Sequence, residues 1–332
     1  MTPPEGKRVR VAVVGAGVMG RYHAQNYLSL PTVELVAMVD PDPAARARAR
    51  HDFACDTYSD VAALLAQRSI DAASVVTPTS THHAVSVELL NAGVHVLVEK
   101  PVAATVEEAK DLTARSRAAG LVLQVGHITR FFRTVRMLGE RVRNPYFIEA
   151  RRLSIETRIK DVGVILDLMI HDIDIVLGLV PHGIDEVTVA GHTVNGGRHE
   201  DVAAAQITFR NGCIARFLAS RVAPDAERCL VLAEHDQTLR VDFLREPHSE
   251  ISVYRAGNDG NGGTHVRSDR HVVQEDNPLR EELAHFVSRI DQDALPIGTL
   301  EDDLRSLALA TRLIAQLATR AGPERRDDPA LH

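Results

Sequence analysis

The apolar and polar positions of this chain follow two regimes. In the first, short unbroken apolar runs alternate with stretches of helical periodicity. VRVAVV (9–14), VELVAMVD (33–40), IDAASVVTP (70–78), VHVLVEKP (94–101) and LVLQVGH (121–127) read as strands buried on both faces. Helical stretches to about Leu30, over 81–93 and over about 105–119 lie between them. This alternation predicts an α/β Rossmann domain, a doubly wound parallel sheet, over residues 1–125. After a helix at about 131–143 the pattern becomes a series of strand-like runs at 146–155, 186–194, 200–210, 213–221, 228–236, 238–244 and 250–256. Asn211-Gly212 between two of them is a two-residue hairpin signal. Residues 126–322 are therefore expected to form an α+β domain with a large, mainly antiparallel, open-faced sheet and helices at about 278–292 and 300–320. Residues 256–263 read as a flexible loop and 323–332 as a disordered tail. A broad sheet with a helix-free face calls for a cover. Back-to-back packing of that sheet in a homo-oligomer, a dimer or tetramer, would supply it.

One helix in the second regime carries chemistry. In DVGVILDLMIHDIDIVLGL (161–179), Leu166, Ile170, Ile173 and Leu177 form an apolar row suited to a core. Asp167, His171 and Asp174 fall at i, i+4 and i+7, on a separate stripe. Three readings fit: a hydrogen-bonded histidine on a partly buried helix, a carboxylate–histidine metal site, or a proton-transfer group with Asp167 orienting the imidazole.

The first strand runs directly into GAGVMG, where Gly15, Gly17 and Gly20, with Val18 and Met19 between the last two, have the G-x-G-x-x-G spacing. Such a turn lets a pyrophosphate approach the backbone at a helix N-terminus. Asp40 ends the second strand about 20 residues on, placed to accept from ribose hydroxyls and to repel a 2′-phosphate, so the expected cofactor is NAD. Arg46 and Arg48 weaken that preference without reversing it. Thr77, Pro78, Thr79, Glu99, Lys100 and Pro101 sit at the carboxyl ends of later strands, where such folds bind ligands, with His82 opening the helix beside them. Lys100 would polarise a substrate oxygen, or else close a strand-end salt bridge.

Composition removes other classes. Of 332 residues 45% are hydrophobic and 25% charged, as in a globular protein. A net charge of −7 gives no global footprint for nucleic acid or an anionic membrane, and no apolar run is long enough for a transmembrane helix. Cys55, Cys213 and Cys229 are far apart and lack C-x-x-C spacing, which fits a reduced cytoplasm and inert thiols. No Cys/His cluster at ligand spacing supports a zinc enzyme, and no metal is expected. The basic residues are nearly all arginine; the four lysines are Lys7, Lys100, Lys110 and Lys160, which draws attention to Lys100 and Lys160.

GAGVMG, Asp40, TPTSTH, Glu99-Lys100-Pro101 and D-x-x-x-H-x-x-D together resemble the Gfo/Idh/MocA oxidoreductase family, from Val9 to about Arg320. The resemblance implies an N-terminal NAD(P)-binding Rossmann domain and a C-terminal sheet domain closing the substrate site. It implies Lys100 and His171 as the catalytic pair, with Asp167 one turn before the histidine. GHITRFFRTVR (126–136) and RIKDVGVILDLMIHDIDIV (158–176) look like the branch that oxidises UDP-N-acetylglucosamine at C3, with Asp161-Val162-Gly163-Val164 in place of a glycine-rich run. That branch supplies a 3-keto sugar nucleotide to an aminotransferase, on the route to 3-amino sugars of lipid A. Lys100, Asp167 and His171, joined by Arg158 and Lys160 at a diphosphate, would then contact substrate. Arg151 and Arg152 are further diphosphate candidates. The alternatives are an inositol or free-sugar dehydrogenase of the same family and, from a different class, a non-catalytic NAD-sensing regulator.

Overall fold

The computed structural model describes residues 8–155, 162–194, 196–244, 248–258, 264–274 and 276–320. Strands β1 (Val9–Val14), β2 (Val33–Val39), β3 (Asp56–Tyr58), β4 (Ala72–Val75), β5 (His95–Glu99) and β6 (Leu123–Gly126) pair in parallel, in the order β3-β2-β1-β4-β5-β6. The order reverses between β1 and β4, so a crevice opens at the carboxyl ends of these two strands. Helices α1 (Val18–Leu28), α2 (Pro43–Phe53), α3 (Val61–Gln67), α4 (Thr79–Asn91) and α5 (Val106–Ala119) make the crossovers. Their boundaries follow local chemistry. Asp42 caps α2 by accepting from Ala44 and Ala45 N–H, with Pro43 in the first turn. Thr105 and Glu108 form a capping box on α5, and Gly120 closes it in the left-handed region. By contrast α1 starts at Gly17 with no side-chain cap.

After a 3₁₀ turn at Ile128–Phe131 and helix α6 (Arg133–Arg141), the chain enters the second sheet. Its strands are β7 (Phe147–Leu153), β8 (Ile184–His192), β9 (Val202–Phe209), β10 (Ile214–Ser220), β11 (Glu227–Ala233), β12 (Thr238–Asp242), β13 (His248–Asn258) and β14 (Thr264–Gln274). They lie in the order β14-β13-β12-β11-β7-β10-β9-β8, antiparallel except for β7 with β10. The sheet is one strand wider than the alternation of residues implies. β14, THVRSDRHVVQ, is a polar edge strand with Val266 and Val272 exposed, so nothing in its pattern marks it as a strand. The expected loop at 256–263 is also shorter, because β13 extends to Asn258. Residues 259–263 and the tail at 323–332 lie outside the described residues.

Helix α7 (Ile170–Leu179) packs on one face of this sheet. Ile170, Ile173 and Leu177 enter a core with Ile148, Ala150, Leu230 and Leu232, while Leu166 touches this core and that of the first sheet. Burying each of these side chains contributes about 1.5–3 kcal/mol. The last helices return toward the first sheet. Leu279, Leu283, Phe286 and Val287 of α8 (Pro278–Asp291) pack with Tyr27 and Val13, and α9 (Leu300–Arg320) contributes to both cores. The sheet's other face holds a cleft of about 340 Å³ where Glu149, Arg151, Gln206 and Arg216 stand among apolar neighbours such as Val189, Phe217 and Leu218. Among the described residues no helix is long and apolar enough to cross a membrane.

Candidate active site

The glycine turn has the geometry a dinucleotide requires. Gly15 has φ +105°, and a Cβ there would stand 2.6 Å from the carbonyl oxygen of Val76; one on Gly20 would collide with the Gly15 carbonyl, which sets how closely α1 packs on its strand. At Gly17 a Cβ would meet nothing within 4 Å, so the space over the start of α1 is open. The uncapped N–H groups of that first turn, flanked by the exposed side chains of Val18 and Met19, suit a pyrophosphate. The Asp40 carboxylate accepts from Ala16 N–H at 2.8 Å and Asp42 N–H at 2.9 Å, fixing it beside the turn with lone pairs remaining for a ribose. Arg46 donates to the carbonyls of Asp40 and Pro41. These residues fit NAD.

Across the crevice, Thr77 and Pro78 lead into α4, whose first residue is Thr79; the Thr77 hydroxyl accepts from Thr81 at 2.7 Å. His82 departs from its expected role as a cofactor contact. It is buried, with Nδ1 2.8 Å from the carbonyl of Pro101 and Nε2 2.8 Å from that of Thr77. The ring is thus wedged between the two strand-end loops, with a carbonyl oxygen of each within hydrogen-bond distance of one of its nitrogens. The Lys100–Pro101 peptide between them is cis.

Lys100 meets the second domain here. Its ammonium donates to the Asp167 carbonyl at 2.6 Å and to Asp167 Oδ1 at 3.2 Å, and the two side chains are nearly buried. This corrects the expectation that Asp167 orients His171. Residues Ile165–Met169 form a π turn before the regular helix begins at Ile170. The wider turn rotates Asp167 off the stripe that α-helical spacing shares with His171. Asp167 pairs with Lys100 instead, and Asp167 Oδ2 and His171 Nδ1 are both buried without a hydrogen-bond partner among the described residues. Burial, followed by the charges of Lys100, Arg152 and Arg228, holds the His171 imidazole well below the ordinary histidine range. It is neutral near pH 7 and able to accept a proton.

Supporting groups come from distant parts of the chain. Burial pushes the Glu99 carboxyl up, but the 3.0 Å hydrogen bond and charge of His23, with Lys100, outweigh it and hold Glu99 below the usual range. Near it Glu282, from α8, is fully buried; burial and then the Glu99 charge push it well above that range, in the direction of its neutral form. Asp174 belongs to a polar network. Arg130 donates to its two oxygens at 2.9 and 2.6 Å, Ser306 at 3.0 Å, and Arg130 also reaches Asp303 at 2.7 Å. His127, Asp174 and Asp303 approach a metal-ligand arrangement, but the Arg130 guanidinium bonds both carboxylates and supplies the compensating charge. His23, Arg130, Glu282 and Asp303 were not legible as site residues. Arg130 alone lay inside a singled-out motif, GHITRFFRTVR.

The other cations divide. Arg152 is bidentate to Asp172 at 3.0 and 2.6 Å, and Arg151 pairs with Glu227 at 3.0 Å, so both are engaged with carboxylates. Arg158 and Lys160 lie outside the described residues. Burial pushes the Cys213 thiol up to about 11 and that of Cys229 to about 12, and raises Cys55 as well, so none is a reactive thiolate near neutral pH.

Comparison with known proteins gives a consistent result. Residues 9–127 match the oxidoreductase family with the NAD-binding Rossmann fold, GFO_IDH_MocA, and residues 134–242 match the GFO/IDH/MocA C-terminal domain. The chain is 35% identical to UDP-N-acetylglucosamine 3-dehydrogenase of Acidithiobacillus ferrooxidans over 251 residues, 75% of this chain and 78% of that one. A solved structure of the same enzyme superposes with a TM-score of 0.84 at 31% identity, covering 95% of this chain and 99% of that chain. The scyllo-inositol 2-dehydrogenase (NAD(+)) of Bacillus subtilis is also 35% identical, over 37% of each chain.

Proposed function

The chain belongs to the Gfo/Idh/MocA family of NAD-dependent oxidoreductases, and from that premise we propose that it oxidises the C3 hydroxyl of UDP-N-acetylglucosamine to the 3-keto sugar nucleotide. The observation that carries the substrate is the likeness to the sugar-nucleotide enzyme, which spans 75% of this chain against 37% for the inositol enzyme. NAD+, held by Gly15–Gly20 and Asp40, supplies the hydride acceptor. His171, neutral because it is buried among cations, takes the hydroxyl proton as the carbon is oxidised. Lys100, fixed by the carbonyl and carboxylate of Asp167, donates to the substrate oxygen and stabilises negative charge developing there. Asp167 thus acts by holding the lysine.

The product is a ketone adjacent to the acetamido carbon, the kind of substrate an aminotransferase takes to a 3-amino sugar, and supply of such a pathway in the cytoplasm completes the reading. Self-association through that sheet face is part of the same proposal; Phe217 and Leu218 there offer apolar contact, and Glu149, Arg151 and Arg216 offer charges of both signs. The assignment of carbon is tested with substrate deuterated at C3. The label should pass to the cofactor and slow the chemical step. Retention of deuterium in the sugar product would place the oxidation elsewhere.

A further inference from the structure

A cavity of about 280 Å³ lies apart from the cofactor crevice, where β6, the edge strand of the first sheet, meets the end of α8 and the start of α9. Leu121, Val125, Phe131, Ile297 and Leu300 supply apolar wall, and five charged side chains stand among them. Four of the five are paired with carboxylates or with arginines. Arg117 bonds Glu301, and Arg130 bonds Asp303 and, beyond the wall, Asp174. The fifth is Arg289, half-buried near the end of α8. Its Nη1 donates to the Leu123 carbonyl at 3.3 Å and to Gln124 Oε1 at 3.4 Å, both longer than the usual range. Neither acceptor is charged. No carboxylate among the described residues stands within ion-pair distance of this guanidinium, and the Asp303 charge acts on it from farther off. Burial holds Arg289 below the ordinary arginine range. A desolvated cation beside apolar wall, with no carboxylate of its own, is a position that a ligand's anion can complete.

We propose that this cavity is a second ligand site, for a small monocarboxylate with an apolar or aromatic body, and that its occupancy is felt at the catalytic helix. The volume is near the lower bound for small-molecule sites, about 300 Å³, which suits a body of about one ring. The carboxylate takes N–H groups of Arg289 other than those on Leu123 and Gln124, and the body takes the apolar wall. A phosphate dianion fits less well, because it would face Glu301 and Asp303 with a single cation not already paired to a carboxylate. The link to α7 is short. Arg130 is part of the cavity wall and holds Asp174, three residues after His171, at 2.9 and 2.6 Å. The loop closing the cavity passes directly over it, since a Cβ on Gly298 would collide with the Arg130 guanidinium. A ligand that orders this loop therefore steadies the contact that fixes Asp174. The lining comes from three separated segments, 116–131, 289 and 296–303, so no motif revealed it. The site does not depend on which sugar the enzyme oxidises.

The test uses benzoate as the probe and benzamide as its uncharged counterpart, each titrated by calorimetry into the wild-type chain saturated with NAD+. Benzoate should bind, and benzamide should bind about tenfold more weakly or worse. Arg289→Gln, which keeps amide N–H donors and removes the charge, should lower benzoate affinity about tenfold or more with NAD affinity unchanged. Ile297→Trp, which fills the cavity from an exposed loop position, should do the same, and it replaces the glutamine variant if that chain does not fold. Hydrogen exchange reads the coupling without any substrate. Benzoate should slow exchange at 296–303 and in α7 of the wild-type chain, and at neither place in Arg289→Gln. No benzoate binding to the wild-type chain, or affinity within about twofold of wild type in a folded variant, would overturn the site. Benzoate binding that is lost in the variants but leaves α7 exchange unchanged in the wild type would overturn the coupling to the catalytic helix.

Discussion

The Lys100 ammonium donates to both the backbone carbonyl and the side-chain carboxylate of Asp167, so one residue of the second domain fixes the position of the cation that ends β5. The pair is nearly buried, and removing one charge leaves the other uncompensated. Lys100→Met should therefore lower turnover by about a hundredfold or more and cost about 3–5 kcal/mol of stability. Adding Asp167→Asn should recover most of the stability and none of the turnover. Denaturant unfolding and steady-state kinetics on the two variants separate these effects; recovery of turnover in the double variant would contradict the role given to Lys100.

His171 makes a statement about pH. Its folded-state basicity is depressed by burial first and by Lys100, Arg152 and Arg228 next, so the imidazole stays neutral until the pH falls well below the ordinary histidine range. The acid limb of kcat/KM should lie below that range, and Arg152→Met should move it upward by removing a cation. His171→Gln should lower turnover by about a hundredfold or more while NAD affinity is kept. A wild-type acid limb at the ordinary histidine value would count against His171 as the proton acceptor.

The network under Asp174 links pH to stability. Burial drops His127 to about 4, and it raises Asp303 to about 7, with Asp174 adding to and Arg130 opposing that rise. Between these values the folded chain holds its proton on Asp303, while the unfolded chain holds it on His127. The proton counts match, and the two groups together give little slope of stability with pH. His127→Gln removes the offset. Asp303 then contributes stability that is full below its unfolded value near 4 and is lost as pH rises through about 7, at up to about 1.4 kcal/mol per pH unit. Urea unfolding across that window should show a downward slope in the variant that the wild type lacks; parallel profiles would contradict the assignment.

Gly163 and Glu200 control the start of the catalytic segment. The Glu200 carboxylate accepts from Ile165 N–H at 3.0 Å, its carbonyl accepts from Val164 N–H at 3.2 Å, and a Cβ on Gly163 would collide with that carboxylate. Gly163→Ala should cost about 1–3 kcal/mol and reduce activity by displacing the π turn that presents Asp167 to Lys100. Combination with Glu200→Ala should restore part of both losses. Additive losses in the double variant would show that the two residues do not act through this contact.

Much of this was legible along the chain because it is local. A glycine turn, an acid at a strand end, buried apolar strands and the row Ile170, Ile173, Leu177 each follow from backbone geometry or periodicity over a few residues. Lys100 stood out against an arginine-rich background. What could not be read depends on deviations from regularity or on contacts across long separations. The π turn breaks the i, i+4 relation that placed Asp167 beside His171. Glu282 and Asp303 reach the site because α8 and α9 fold back toward the first sheet, and polar β14 carries no strand alternation. His82 had the composition of a ligand contact, and only tertiary structure shows both nitrogens beside backbone carbonyls.

The most direct test of the central claim is a single-turnover measurement of NADH formation. Enzyme at a concentration stoichiometric with substrate is mixed with NAD+ and UDP-N-acetylglucosamine, beside parallel reactions with NADP+ and with inositol. A burst is expected with the sugar nucleotide and NAD+ alone. A burst with inositol and none with the sugar nucleotide would contradict the proposed substrate. No burst with any of them from an enzyme that binds NAD would contradict the catalytic assignment of Lys100 and His171.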